Sequence, residues 1–310
     1  PNEGFTVSAK GKYAGGAIGV TVGGDVSNVS VNNLKQVSAV ETAGGFMGSN
    51  SASGLLNSSG LNLLGWNLVE INGLLKAVPY FVTDCTSCYV SYAVGNDAVE
   101  PQVTANSAGG FIGEMYGGSL DNSKMSGDSN AVRNVTFIQG MYYAGGFAGK
   151  ITSGSLVQAG DGIDLLGITV DLNDLLSVLQ VYIPRIISAG VSSGAGGLRV
   201  KATHQTSSVA DAVEDVDSGS AGGYAGLIRG AQITSSNVTS LATKMDFTHT
   251  EPENGDWAVT APNHAGGYAG QIDVGSVTAA GDGVQISGIA NIGDLLNVLN
   301  VVESRLDQCD

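Results

Sequence analysis

The side chains that could do chemistry in this chain are few, and their spacing decides which chemistry is open to them. Three histidines, His204, His249 and His264, lie far apart in polar segments, and none has a Glu or Cys at metal-ligand spacing. They read as surface residues. Asp161 and Asp282 stand in two Ala-Gly-Asp-Gly tetrapeptides, with Asp164 close to the first. Such oxygens suit Ca2+, but the spacing is neither that of an EF-hand loop nor that of a nonapeptide Ca2+ repeat. Asp-Gly is a common turn pair, so the expectation is a turn and no cofactor. Glycine pairs are abundant, yet no G-x-x-x-x-G-K-[ST] phosphate loop occurs. Cleaving an acidic polysaccharide needs clustered carboxylates for a metal and a cationic base. The cations here, among them Lys10, Lys12, Arg185, Arg199 and Lys201, form no evident cluster. No catalytic residue is assigned, and no metal or cofactor ligand.

The cysteines are more informative. Cys85-Thr86-Ser87-Cys88 and Cys309 follow apolar runs at equivalent points of two copies of a repeat. A C-x-x-C pair can be a local disulfide, a redox couple or half of a zinc site. Redox motifs belong to a βαβ context, and zinc needs two more ligands nearby, so Cys85 and Cys88 are first of all a disulfide candidate. The chain stops one residue past Cys309, which suggests a piece of a longer protein whose next residues hold its partner.

Charge narrows the partners. The formal net charge of −15, from 13 Lys plus Arg against 28 Asp plus Glu, works against binding nucleic acid or an anionic membrane surface. No run of about 18 apolar residues is present to insert in a bilayer. Charged residues make up only 13% of the chain, while hydrophobic residues reach 43%. A core can form beneath a surface of Ser, Thr, Asn and Gly, unlike a disordered acidic tail.

What must position these groups is a repeat. Ala144-Gly145-Gly146-Phe147-Ala148-Gly149 and the run after it return 121 positions later as Ala265-Gly266-Gly267-Tyr268-Ala269-Gly270. The hexapeptide also stands at 43–48 with Gly44 and Gly45, at 108–113 with Gly109 and Gly110, and at 221–226 with Gly222 and Gly223; a weaker form at 14–19 has Gly15 and Gly16. Units of this size cannot bury an apolar face alone and must stack. Val alternating with small polar residues, as in Ile18 to Val31, is the period-two signature of a strand, and glycine pairs supply the turns. The expected fold is mainly β: a parallel β-helix, right-handed, forming one elongated repeat domain over 1–310.

The segments 108–123 and 221–236 align without a gap: small-Gly-Gly-aromatic-x-Gly, a short strand, a Gly-containing turn, an apolar residue, then Asn/Ser-Ser. This layout resembles the GLUG-type repeats of large bacterial surface proteins, over perhaps half of the chain. The resemblance implies a structural or adhesin-like segment.

Plain units alternate with longer ones. After the hexapeptides at 43, 144 and 265 come apolar residues at helical spacing, including Leu68, Ile71, Leu75; Leu172, Leu175, Leu179, Ile183; and Ile292, Leu295, Leu299, Val302. They predict amphipathic helices at 61–80, 163–187 and 284–306, capping a side or an open edge of the solenoid. If each hexapeptide opens a coil, Phe46, Phe111, Phe147, Tyr224 and Tyr268 form an aromatic ladder at about 4.8 Å spacing. Further coils in the long units would bring the stack to about eight to ten layers, roughly 40 to 50 Å. The expected function is a non-catalytic stalk, filament subunit or adhesive surface, secreted or attached to a cell wall. It would join end to end or meet a protein or glycan. The alternative is a carbohydrate-binding or polysaccharide-cleaving solenoid with Trp66, Tyr142, Tyr182 and Trp257 on one outer face.

Overall fold

Short strands form where an apolar residue alternates with a small polar one, and each ends at a corner of Gly, Asn or Ser. The computed structural model describes residues 4–50, 82–94, 100–153, 183–204, 219–239, 258–276 and 301–310. Among them there is no helix. One 14-stranded and two six-stranded sheets are built from parallel pairings, and a two-stranded antiparallel piece joins Gly275–Ser276 to Val301–Val302.

The coils supply the same strands in the same order, the sixth through its first three among the described residues. The hexapeptide gives the first: Tyr13–Gly15, Thr42–Gly44, the ends of Val103–Gly109 and Phe137–Gly145, then Ser220–Gly222 and His264–Gly266 lie side by side. The next ladder is Ile18–Thr21, Met47–Asn50, Ile112–Tyr116, Ala148–Thr152, Ala225–Arg229 and Ala269–Asp273. A third is Gly24–Ser27, Thr83–Thr86, Ser119–Asp121, Arg185–Ile187, Gln232–Thr234 and Arg305–Asp307. Two further ladders run through the start and the end of Ser30–Ser38 and close each coil onto the next hexapeptide. The result is a parallel, solenoid-like stack of coils 1 to 6, one for each hexapeptide.

The described residues form six coils whose rungs span roughly 24 Å, and the further coils expected in the long units fall on residues outside those described. Asn50 and Thr83 occupy adjacent ladders of coil 2 just as Thr21 and Gly24 do in coil 1. Thr152 and Arg185 do so in coil 4, like Tyr116 and Ser119 in coil 3.

Of the helices expected, 61–80, 163–182 and 284–300 lie outside the described residues. The ends of the second and third are strand instead: Arg185–Ile187, Val301–Val302 and Arg305–Asp307. Pro184 has no N–H to continue a helix, and an extended backbone beyond it puts Ile186 at 0% exposure between Leu120 and Ile233.

The core is a set of vertical rows. Val37, Val103, Ile138 and Val200 make one, all at 1% exposure or less. After the third ladder the chain turns through a left-handed residue at the same corner of five coils: Asn28, Ser87, Ser188, Ser235 and Gln308, with φ from 51 to 55°. Asn and Ser tolerate that region because their side chains bond locally. Coil 3 departs from the pattern. There the buried Asn122 amide accepts from Cys88 N at 3.0 Å and donates to Cys88 O at 2.9 Å and Ser129 O at 3.2 Å, standing in for the missing backbone corner.

Candidate functional site

The hexapeptide works in two directions. A Cβ on its first glycine, at 15, 44, 109, 145, 222 or 266, would lie 1.9 to 2.1 Å from a carbonyl oxygen three residues on. The turn folds back too tightly for any side chain. The second glycine faces the next coil: a Cβ on Gly16, Gly45, Gly110 or Gly146 would come 1.9 to 2.2 Å from the carbonyl of Gly45, Gly110, Gly146 or Gly223.

That turn throws the following aromatic inward. The structure brings all five rings together: Phe46 on Phe111 at 4.8 Å, Phe111 on Phe147 at 5.3 Å, Phe147 on Tyr224 and Tyr224 on Tyr268 at 4.8 Å, with planes within 8° of parallel. The first four are buried and Tyr268 is half-buried, so the column is interior packing and offers no stacking surface for a sugar. Two phenols in the column find partners across the coil, Tyr224 donating to Ala189 O at 3.1 Å and Tyr268 to Ser236 O at 2.8 Å. Tyr92 donates to Gly110 O at 2.8 Å.

Burial holds Tyr92 and Tyr224 far above the ordinary tyrosine value, and does the same for Tyr116 and Tyr268. Each phenol stays protonated in the fold but ionises in the unfolded chain above pH 10, so the stability they contribute is complete below that pH and falls above it. The fully buried pair, Tyr92 and Tyr224, should alone cost about 2.7 kcal/mol for each pH unit above roughly 10. Denaturant melts from pH 9 to 11.5 check this. Tyr92→Phe and Tyr224→Phe together should flatten the alkaline fall while lowering stability at pH 8 by about 2 kcal/mol, for the two hydrogen bonds lost.

Cys85, Cys88 and Cys309 are free thiols. Cys85 and Cys88 are both buried on either side of the Ser87 corner, and the Cys88 thiol donates to Thr86 O at 3.4 Å and Val26 O at 3.5 Å. The interaction of the two thiols lowers Cys88, while the same interaction and burial raise Cys85. Cys309 takes the corner place of Cys88 in coil 6, but Leu306 stands where Cys85 would be.

Cations on the outside tie coils to one another. Lys150 Nζ lies 5.7 Å from the Tyr116 ring and 5.6 Å from the Tyr143 ring, beside a Tyr116 hydroxyl that donates to Glu114 at 2.6 Å. Arg133 covers Tyr89 at 3.9 Å, and Arg229 pairs with Asp273 at 3.0 Å. No motif signals the contacts of Lys150 with Tyr116, Arg133 with Tyr89 and Arg229 with Asp273, since register alone brings together these residues more than thirty positions apart. Arg199 lies 5.2 Å over Phe137, and next to it runs an outward polar row of Ser8, Ser38, Thr104, Gln139, Lys201 and Thr260.

Other sequence candidates stay apart. His204 meets the edge of the half-buried Tyr142 at 4.6 Å, and His264 Nδ1 sits 3.1 Å from Ser220 Oγ. Lys10 and Lys12 lie on coil 1, far in sequence and ladder position from Arg185. Among the described residues no three His, Cys, Asp or Glu side chains come together to hold a metal, and no helix is long and apolar enough to cross a membrane. His249, Asp161, Asp164, Asp282, Trp66, Tyr182 and Trp257 lie outside the described residues. Set against family models, curated proteins and solved structures, the chain matches none of them.

Proposed function

We propose that this chain is a structural, non-catalytic repeat segment of a secreted or wall-attached bacterial protein, serving as stalk, filament subunit or adhesive surface. The observation that carries the reading is the unbroken column of five rings inside six coils in register, which commits the hexapeptides, the most repeated feature of the sequence, to stacking. The GLUG-type layout at 108–123 and 221–236 supports a bacterial surface setting. Its hand is right, as crossovers between parallel strands almost always are. In an oxidising medium Cys85 and Cys88 close a local disulfide.

The mechanism is passive. Rungs bonded on both sides hold the rod together, and outward polar rows keep it in water or meet a protein or glycan. The test is incubation of the chain with neutral and acidic polysaccharides, followed by assay of new chain ends. Intact polymers are expected. Released oligosaccharides would make it a polysaccharide-cleaving solenoid and end the structural reading.

A further inference from the structure

We infer that Gln102 of coil 2 and Thr136 of coil 3 hold one buried water molecule between them, in a site that completes two hydrogen bonds the chain does not make by itself.

Two glutamines in equivalent places show how the site arises. Gln36 and Gln102 each stand one residue before the paired valines Val37 and Val103, so they take the same position in successive coils. Gln36 Nε2 donates to Pro101 O at 3.2 Å. One coil on, the place of Pro101 belongs to Thr136, since Val103 pairs with Ile138. Proline has no N–H, so only its carbonyl can meet the amide of Gln36. Thr136 does have an N–H, and its carbonyl already accepts from Arg199 N at 2.8 Å. The Gln102 amide is therefore turned the other way, its Oε1 accepting from Thr136 N at 2.7 Å. Its Nε2 is left with no acceptor.

Both residues are inside, Gln102 at 2% exposure and Thr136 at 5%. Neither Gln102 Nε2 nor Thr136 Oγ1 has a hydrogen-bond partner among the described residues, and they do not satisfy each other. Buried polar atoms are nearly always bonded to protein or to ordered water. Two open ones on residues already joined by a 2.7 Å bond make one polar site. Its occupant must accept from an amide N–H, which excludes a cation, and it can donate to or accept from the hydroxyl. Burying an anion there would cost far more than burying a neutral molecule. Water meets both groups and is small enough to sit between coils.

Thr136→Val, which removes the hydroxyl and keeps the shape, tells a bridged site from a dry one by the sign of its effect in urea melts. It should lower the folded-to-unfolded ratio at fixed urea about fivefold, because a satisfied hydrogen bond is lost. An unbonded buried hydroxyl is a penalty in the fold, so a higher ratio in Thr136→Val overturns the proposal. In a Gln102→Leu background the bridge is already gone, and Thr136→Val should change the ratio by less than about twofold. An equal fivefold loss there would mean that the hydroxyl acts without the amide, and also overturns it. A crystal structure of the 310-residue chain should show a water within hydrogen-bond distance of both Gln102 Nε2 and Thr136 Oγ1. Clear density for both side chains with none between them ends the inference.

Discussion

Replacing Gly109 by alanine should unfold the middle of the stack, at a cost on the order of 4 kcal/mol or more. The added Cβ would lie 1.9 Å from Ile112 O, 2.7 Å from Ala148 Cα and 2.8 Å from Gly149 N. All three are backbone atoms, one in its own turn and two in the next coil, so no side chain can swing aside. Gly109 is not at positive φ, and the cost is therefore contact and not torsion. The contact sits where coils 3 and 4 meet, so relief means separating them. Gly11→Ala is the control, since its Cβ would meet nothing within 4 Å, and it should shift stability by no more than about 0.5 kcal/mol. Urea melts of the two variants decide the point. Similar midpoints would mean that the hexapeptide turn yields, and the glycines would lose their place as the reason the coils stack.

That dependence explains how much of the fold the sequence displays. Where coils begin was legible because each hexapeptide is a steric necessity and each opens one of the described coils, whereas the expected total of eight to ten layers was not read from that motif. The aromatic after the glycine pair was legible for the same reason, since a turn that tight leaves its next side chain one direction to point. Strand position after the long units was not. Arg185–Ile187 has three residues, too few to show alternation, and the apolar run ending at Ile183 continues a helical spacing up to Pro184. Burial of Ile186 depends on Leu120 and Ile233, neither of them near in sequence. Asn122 was hidden differently. Its role comes from a corner that coil 3 builds without the left-handed residue found in five other coils, and only the partner Cys88, thirty-four residues away, reveals it.

Truncating the ring at the centre of the column should cost nearly as much as the glycine substitution and should show whether the column acts as one unit. Phe147 is at 0% exposure with a parallel ring on each side, at 5.3 Å and 4.8 Å. Phe147→Ala removes its own buried surface together with two ring contacts, at about 3 to 5 kcal/mol in all. Tyr268→Ala removes one such contact, from a half-buried ring that keeps part of its surface in water already. Its loss should be less than half as large. The double variant carries the argument further, because Phe147 and Tyr268 do not touch and are joined only through Tyr224. If the rings merely fill space, the two losses add within about 0.5 kcal/mol. If the column shifts as one body when a ring is missing, the second truncation costs clearly less than it does alone, and Tyr224 is the piece that relaxes. Calorimetry and urea melts of the two single variants and the double one separate these cases. A Phe147→Ala loss below that of Tyr268→Ala would show that the column is not where the stack is held.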